Sequence, residues 1–384
     1  MKRTVFTAEQ DHFREACRAF VQRHMTPHLD RWDEAGIVDR ELFLRAGELG
    51  VLGLGIPEQY GGGGTADYRF NAVFMEEACA ASAMTAALGI ATHADVVVPY
   101  FVTYGTDRQH QRWLPGLASG DLVGAIAMTE PGTGSDLAAI STRATRHGDQ
   151  YMLTGSKTFI SNAFNADVVI VVCRTGADAS PQRSLSLLVV DTDTPGFQRG
   201  RNLDKIGQHA ADTGELFFDE VEVPAANLLG SEGRGFYHLM AMLPQERLSI
   251  AVAALAHAER AFTDTLQYCK DRHAFGQPIG SFQHSRFVLA TMRTELDVAQ
   301  AFVDRCFTAH GDGELTGEEA AEAKWVTADL NNRVLDRCLQ LHGGFGYMDE
   351  SLIGRAWRDG RAMSIYGGTN EIMKDLIGRR MLGV

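Results

Sequence analysis

Over residues 7–49 the apolar positions fall three and four apart: Phe13, Cys17, Phe20 and Val21, then Leu42, Phe43 and Leu49. That spacing lines one face of a helix and predicts helices here. The stretch 53–64, with Ile56-Pro57 and four consecutive glycines, breaks the pattern and reads as a loop. Helical, alanine-rich sequence resumes over 68–104, and 107–117 adds a shorter helix. Near Asp121 the period changes. Residues 150–154, 158–161, 166–174, 184–191 and 215–223 are β-branched or alternating runs separated by Gly, Pro and Asp. They predict short strands in an antiparallel barrel or sandwich rather than βαβ units. After Gly230 long helical stretches return and persist almost to Val384. The expected class is α+β, mostly α, in three domains: helical 1–120, β 121–230 and helical 231–384.

Composition narrows the class without naming a chemistry. Hydrophobic residues make up 45% and charged residues 22% of the 384, as in ordinary globular proteins. No apolar run reaches the roughly 18 residues of a membrane helix, and no membrane partner is expected; 168–173 and 185–190 are only strand-sized. The N-terminal segment enters the helical pattern without a signal-type apolar region, so a cytoplasmic location is expected. A formal charge of -13 argues against a nucleic-acid partner, because binding a phosphate backbone needs a basic surface. It leaves room for a phosphate-bearing small molecule. Cys17, Cys79, Cys173, Cys269, Cys306 and Cys338 form no C-x-x-C pair, and none of the 13 histidines falls in a metal-ligand pattern. Reduced core thiols and no metal are expected.

Six segments carry candidate chemistry. Ile126-Ala127-Met128-Thr129-Glu130-Pro131-Gly132-Thr133-Gly134-Ser135-Asp136 reads in isolation as a turn. Its glycines permit positive φ and close backbone approach to an anion, but it is not the G-x-G-x-x-G fingerprint. Phe159-Ile160-Ser161 alternates like a strand. Arg272-His273-Ala274-Phe275-Gly276 with Gln283, and Gln340-Leu341-His342-Gly343-Gly344, hold polar side chains and glycines on helical stretches. Leu243-Pro244-Gln245-Glu246-Arg247-Leu248 sets a carboxylate beside a proline; Ser364-Ile365-Tyr366-Gly367-Gly368-Thr369-Asn370-Glu371-Ile372 contains adjacent glycines. His93 reads as a satisfied helix histidine, Glu130 as a structural carboxylate, and Trp325 and Trp357 as core residues.

In this order the segments resemble the acyl-CoA dehydrogenases, over nearly the whole chain. The resemblance implies a helical N-terminal domain, a central antiparallel β-barrel and a C-terminal four-helix bundle. It implies FAD as cofactor, held along Ile126, Ala127, Met128, Thr129, Gly134 and Ser135, with Ser135 also touching the CoA part of the substrate. Phe159, Ile160 and Ser161 correspond to a second flavin wall. Arg272, Phe275, Gln283, Gln340, Gly343 and Gly344 correspond to residues that reach the FAD of a neighbouring subunit, which implies an oligomer, a homotetramer. Thr369, Asn370 and Glu371 fall on the cofactor side of the last segment, and Arg247, Tyr366, Gly367 and Gly368 on the substrate side.

Most of that family places its catalytic glutamate where this chain has Gly367. The 243–248 segment resembles the branch containing the long-chain and isovaleryl enzymes, whose base lies on a different helix, and this resemblance assigns the base to Glu246. Pro244 itself predicts the first turn of a new helix. There the helix dipole would lower the carboxylate's pKa and burial would raise it, with neither winning from sequence. A capping role for Glu246 also fits a first turn, and Arg247 reads equally as an electrostatic partner or a structural residue. The reaction implied is α,β-dehydrogenation of an acyl-CoA thioester to the trans-2-enoyl product, with electrons passed to an electron-transferring flavoprotein. The alternate base position points to a medium-to-long or branched acyl chain. The alternatives are an oxidase or monooxygenase on the same fold, a carrier-protein thioester substrate, and a non-catalytic subunit.

Overall fold

A computed structural model of the chain describes residues 3–176 and 180–383. The first helices are α1 (Ala8–His24), α2 (Leu29–Ala35) and α3 (Arg40–Leu49). Thr7 opens α1 with a reciprocal cap, its backbone N–H donating to Gln10 Oε1 at 2.7 Å. α4 (Arg69–Ala80) is followed by a rod made of α5 (Met84–Ala91), a π-helical turn (Thr92–Val97) and α6 (Val98–Tyr104). α7 (Asp107–Ser119) then leads into the sheet.

The β domain contains β1 (Gly124–Ala127), β2 (Arg143–His147), β3 (Gln150–Ser161), β4 (Val168–Arg174), β5 (Leu185–Asp191), β6 (Phe197–Asn202), β7 (Thr213–Pro224) and β8 (Leu228–Leu229). The strands run β6-β7-β3-β2-β4-β5-β8, with β1 added alongside β4. The expected barrel is therefore corrected: the sheet is not closed, and it is not purely antiparallel, since β1 pairs with β4 in parallel. The reason lies in β4 and β5, both buried on their two faces. Val168, Ile170, Val172, Leu185, Leu187 and Val189 pack against Phe101, Trp113 and Leu117 of the helical layer. Val169, Val171, Leu188 and Val190 pack against Tyr151, Leu153, Leu216 and Phe218 within the sheet. Helices cover one face, so the sheet need not close on itself.

α8 (Gly235–Asp271) starts the C-terminal domain, followed by the short pair β9 (His273–Ala274) and β10 (Gln277–Pro278). α9 (Gln283–Gly311), α10 (Gly317–His342), α11 (Leu352–Gly360) and α12 (Asn370–Leu382) complete it. α8 corrects a second expectation. Pro244 lies inside a continuous 37-residue helix rather than at the start of a new one. A mid-helix proline costs about 3 kcal/mol, and burial of Leu239, Leu248, Ala251, Val252 and Leu255 around it offsets that cost. By length and composition alone Met84–Tyr104 and Gly235–Asp271 are long and apolar enough to cross a membrane. Much of each is buried within the fold.

All six cysteines are free and buried. Trp325 is partly buried, with the Lys374 ammonium 5.0 Å from its ring. Trp357, expected in the core, is instead 41% exposed on α11.

One buried ion pair ties the 126–136 segment to β3. Lys157 Nζ donates to Glu130 Oε1 at 3.0 Å and to the Met128 carbonyl at 2.9 Å. Burial pushes the Glu130 carboxyl up, but donors on Ser141 and Thr142, with Lys157, hold it at about 2. Glu130 is thus a structural residue, as expected from the sequence. Glu130→Gln leaves the Lys157 ammonium buried without a counter-charge and should cost about 3–5 kcal/mol, measured as a lower thermal midpoint. The paired change Glu130→Gln/Lys157→Met should recover much of the loss.

Candidate active site

Glu246 lies about three turns into α8, too far from its N-terminus for the helix dipole to hold its pKa down. Its side chain is buried, and burial raises the carboxyl to about 7 against the opposing influence of Tyr100 and Arg247. Tyr100 Oη on α6 donates to Glu246 Oε1 at 2.8 Å. Among the described residues no other hydrogen bond and no ion pair engages this carboxylate, so the capping role is not observed. A carboxyl in this state takes up and releases a proton near neutrality.

One turn further along the same face, Ile250 meets the 366–368 loop. Gly367 has φ +64°, and a Cβ built on it would stand 2.1 Å from Ile250 Cδ1. Ile250 thus fills the space that any side chain at 367 would enter. Gly368 is also left-handed, at φ +91°. Its carbonyl accepts from Lys324 Nζ at 2.6 Å, and Asn370 Oδ1 accepts from the same ammonium at 3.4 Å. Thr369 caps α12, accepting from the Ile372 N–H at 3.2 Å, and Tyr366 Oη accepts from Gln208 Nε2 at 3.4 Å. Glu371 is exposed in the first turn of α12.

One buried cation holds this loop, and a second acts on the first. Lys324 is wholly buried, and desolvation, with Arg247 nearby, lowers it to about 8. Arg247 is buried too; it donates to the Gly317 carbonyl at 3.4 Å, while its Nε has no partner. Arg247 makes no ion pair among the described residues, so it acts as a backbone anchor whose charge is felt by Glu246. Neither Lys324 nor Tyr100 stands out in the sequence. The signal for Lys324 is a lone lysine in the alanine-rich stretch 320–328; Tyr100 carries none.

A second group of residues lines the sheet. The Thr158 N–H donates to the Thr129 carbonyl at 2.9 Å, which with the Lys157 contacts brings 128–130 and 157–161 together. Phe159 sits at a break in the β3–β7 register with φ +59°. Positive φ is costly for a bulky side chain, and here it accompanies an aromatic ring left 67% exposed. Ser161 and Ser135 are exposed. Ala127 and Ile160, however, are buried in the sheet core, so only their backbones can face a ligand; Ile126, Met128 and Thr129 are half-buried. Gly132 and Gly134 do not use the positive φ open to them, and a Cβ at either meets no protein atom within 4 Å. His93 is the satisfied histidine expected, its Nδ1 accepting from the Gly124 N–H at 3.0 Å and its Nε2 2.9 Å from the Leu117 carbonyl.

A third group gathers where α8 and α10 end. The Tyr268 and His342 rings stack at 4.1 Å, and Arg272 lies over Phe345 with its guanidinium 5.7 Å from the ring centre. Arg272, Phe275, Gln283, Gln340, Gly343 and Gly344 are all exposed there, Phe275 by 95% and with φ +51°. No hydrogen bond, ion pair or ring contact among the described residues joins this group to the 124–161 wall.

Three family profiles match in chain order: the acyl-CoA dehydrogenase N-terminal domain over 7–121, middle domain over 125–221 and C-terminal domain over 233–382. The chain is 45% identical to the long-chain specific acyl-CoA dehydrogenase of Sus scrofa mitochondria, covering 99% of this chain and 88% of that protein. It is 36% identical to the mitochondrial isovaleryl-CoA dehydrogenase of Pongo abelii, covering 97% and 88%. The crystal structure of an acyl-CoA dehydrogenase from Geobacillus kaustophilus superposes with a TM-score of 0.96 at 46% identity, covering 98% of both chains.

The Gly367–Ile250 contact predicts that Gly367→Ala strains the loop twice, through φ and through overlap with Ile250. A loss of roughly 1–3 kcal/mol is expected, read by thermal unfolding. Adding Ile250→Ala should return the share due to overlap but not the share due to φ.

Proposed function

The chain belongs to the acyl-CoA dehydrogenase family, and on that premise we propose that it dehydrogenates an acyl-CoA between Cα and Cβ with Glu246 as the base. Members of this family are FAD-dependent oxidoreductases, for which an electron-transferring flavoprotein is the typical acceptor. The observation that carries the reading is the buried Glu246 carboxyl at about 7, one helical turn from the residue packed against Gly367. A base poised near the working pH can take the α-proton without holding it too tightly to release. The Gly367 N–H then serves the thioester carbonyl as it gathers enolate charge. Bound FAD supplies the acceptor for the β-hydrogen.

The residues fit that cofactor. Phe159 offers an exposed ring for stacking. Gly132, Gly134, Gly343 and Gly344 leave the backbone open, with nothing that a Cβ would strike. Arg272 is suited to paired hydrogen bonds with a pyrophosphate. The Arg272 group and the sheet wall are separate within one chain, so they serve one FAD when a second copy brings its Arg272 group to the first copy's wall. The exposed Phe275, Phe287, Phe345 and Tyr347 around Arg272 give that copy an apolar surface to cover. The assembly proposed is a homotetramer. The relatives named for long-chain and isovaleryl thioesters support a medium-to-long or methyl-branched acyl-CoA as substrate.

Glu246→Gln should keep bound FAD and lower the rate of flavin bleaching by an acyl-CoA roughly 10²- to 10⁴-fold. Retention of wild-type rate sinks the assignment. Because the base works only when ionised, wild-type kcat/KM should rise with pH through an apparent pKa of about 7. The stability linkage runs the other way: a carboxyl raised in the folded state favours folding when protonated, so this contribution is lost between about 4.5 and 7. Arg272→Ala should weaken FAD retention on gel filtration while leaving the Glu246 pH dependence of reconstituted enzyme in place.

A further inference from the structure

Among the described residues, the one hydrogen bond to the Glu246 carboxylate comes from a side chain outside its own helix. Tyr100 is fully buried, and its hydroxyl has a single hydrogen-bond partner among the described residues, Glu246 Oε1 at 2.8 Å. The π-helical turn at Thr92–Val97 precedes it in the rod; such a turn adds a residue and rotates the helix beyond it. Tyr100 Oη thereby meets α8 while Phe101 packs in the sheet-side core against Trp113.

We propose that Tyr100 is the positioning residue of the base: its hydroxyl engages Oε1 and leaves Oε2 as the oxygen offered to the substrate. This rests on the reading of Glu246 as the base. A carboxylate on a flexible side chain can turn about its last bond, and a hydrogen bond to one oxygen removes most of that freedom. Positioning of this kind raises the fraction of bound complexes in which the base already faces the reacting C–H. The hydroxyl also favours the ionised form, against burial.

Other charged groups around the pair do not duplicate this role. Arg247 points to the Gly317 carbonyl, and Lys324 points to the Gly368 carbonyl from α10. Glu318 and Glu371 act on Arg247 and Lys324 rather than directly on Glu246. Asp95, on the π-helical turn, accepts from Tyr68, Asn71 and Ser249 at 3.1, 2.7 and 2.6 Å. Tyr104, a turn beyond Tyr100, donates weakly to the His238 carbonyl at 3.5 Å.

The test compares pH profiles of FAD-loaded enzyme. Tyr100→Phe should lower the plateau kcat about tenfold or more and move the acid limb about one pH unit toward alkaline values. KM should change little. Tyr68→Phe, which removes a buried hydroxyl from the neighbouring Asp95 cluster, should leave the acid limb where it is. An unmoved limb in Tyr100→Phe, or an equal movement in Tyr68→Phe, overturns the proposal. Should Tyr100→Phe fold poorly, fluorotyrosine at position 100 keeps the shape and makes the hydroxyl a stronger donor. The limb should then move toward acid pH, and no movement overturns the proposal. Glu246→Gln separates the two readings: an active Glu246→Gln enzyme removes the base, whereas an inactive one with an unchanged Tyr100→Phe profile removes only the tyrosine's role.

Discussion

The site depends on helix α8 running unbroken through Pro244. The helix sets Glu246 and Ile250 along one rigid element, and Arg272 follows directly after its last residue, so the proposed base, the residue packed on the 366–368 loop and the phosphate-suited arginine are tied to one frame. A break at Pro244 would have put Glu246 in a first turn, exposed to solvent and under the dipole, with an ordinary or depressed pKa. Continuity buries it instead. The mid-helix proline is tolerated because apolar residues on both sides of it are already committed to the core.

The two glutamates at the centre of the molecule show how environment divides one residue type into different roles. Glu130 accepts from two backbone N–H groups, a hydroxyl and an ammonium and is held at about 2. Glu246 accepts from one phenol and is left at about 7. Both are buried, so the number and charge of the donors decide the outcome. The first is fixed as an ion that holds a loop, whereas the second can exchange a proton.

Strain is placed where an exposed surface is useful. Phe159 and Phe275 both take positive φ and both leave a large ring in the open. Their separation, one on the sheet wall and one beyond the end of α8, is what makes a second copy of the chain part of the proposed site.

The helix–sheet–helix order was legible because a change of period from 3.6 to 2 and back survives any detail of packing. The motif segments were legible too, and so was the structural role of Glu130 and His93. The sheet's openness was not, because closure depends on which face the helices cover, and β4 and β5 read as apolar runs either way. Trp357 was misplaced for a related reason: an aromatic residue in a helix does not report which side of the helix meets solvent. The sequence by itself determined the element order and the family, and its resemblance pointed to Glu246 as the proposed base in place of the carboxylate absent at 367. Only the tertiary structure decided that Glu246 is buried under a single hydroxyl, that Ile250 occupies the space beside Gly367, and that Lys324 holds the loop between them. Those are contacts between residues distant in the chain, and no local pattern records a distance that folding alone creates.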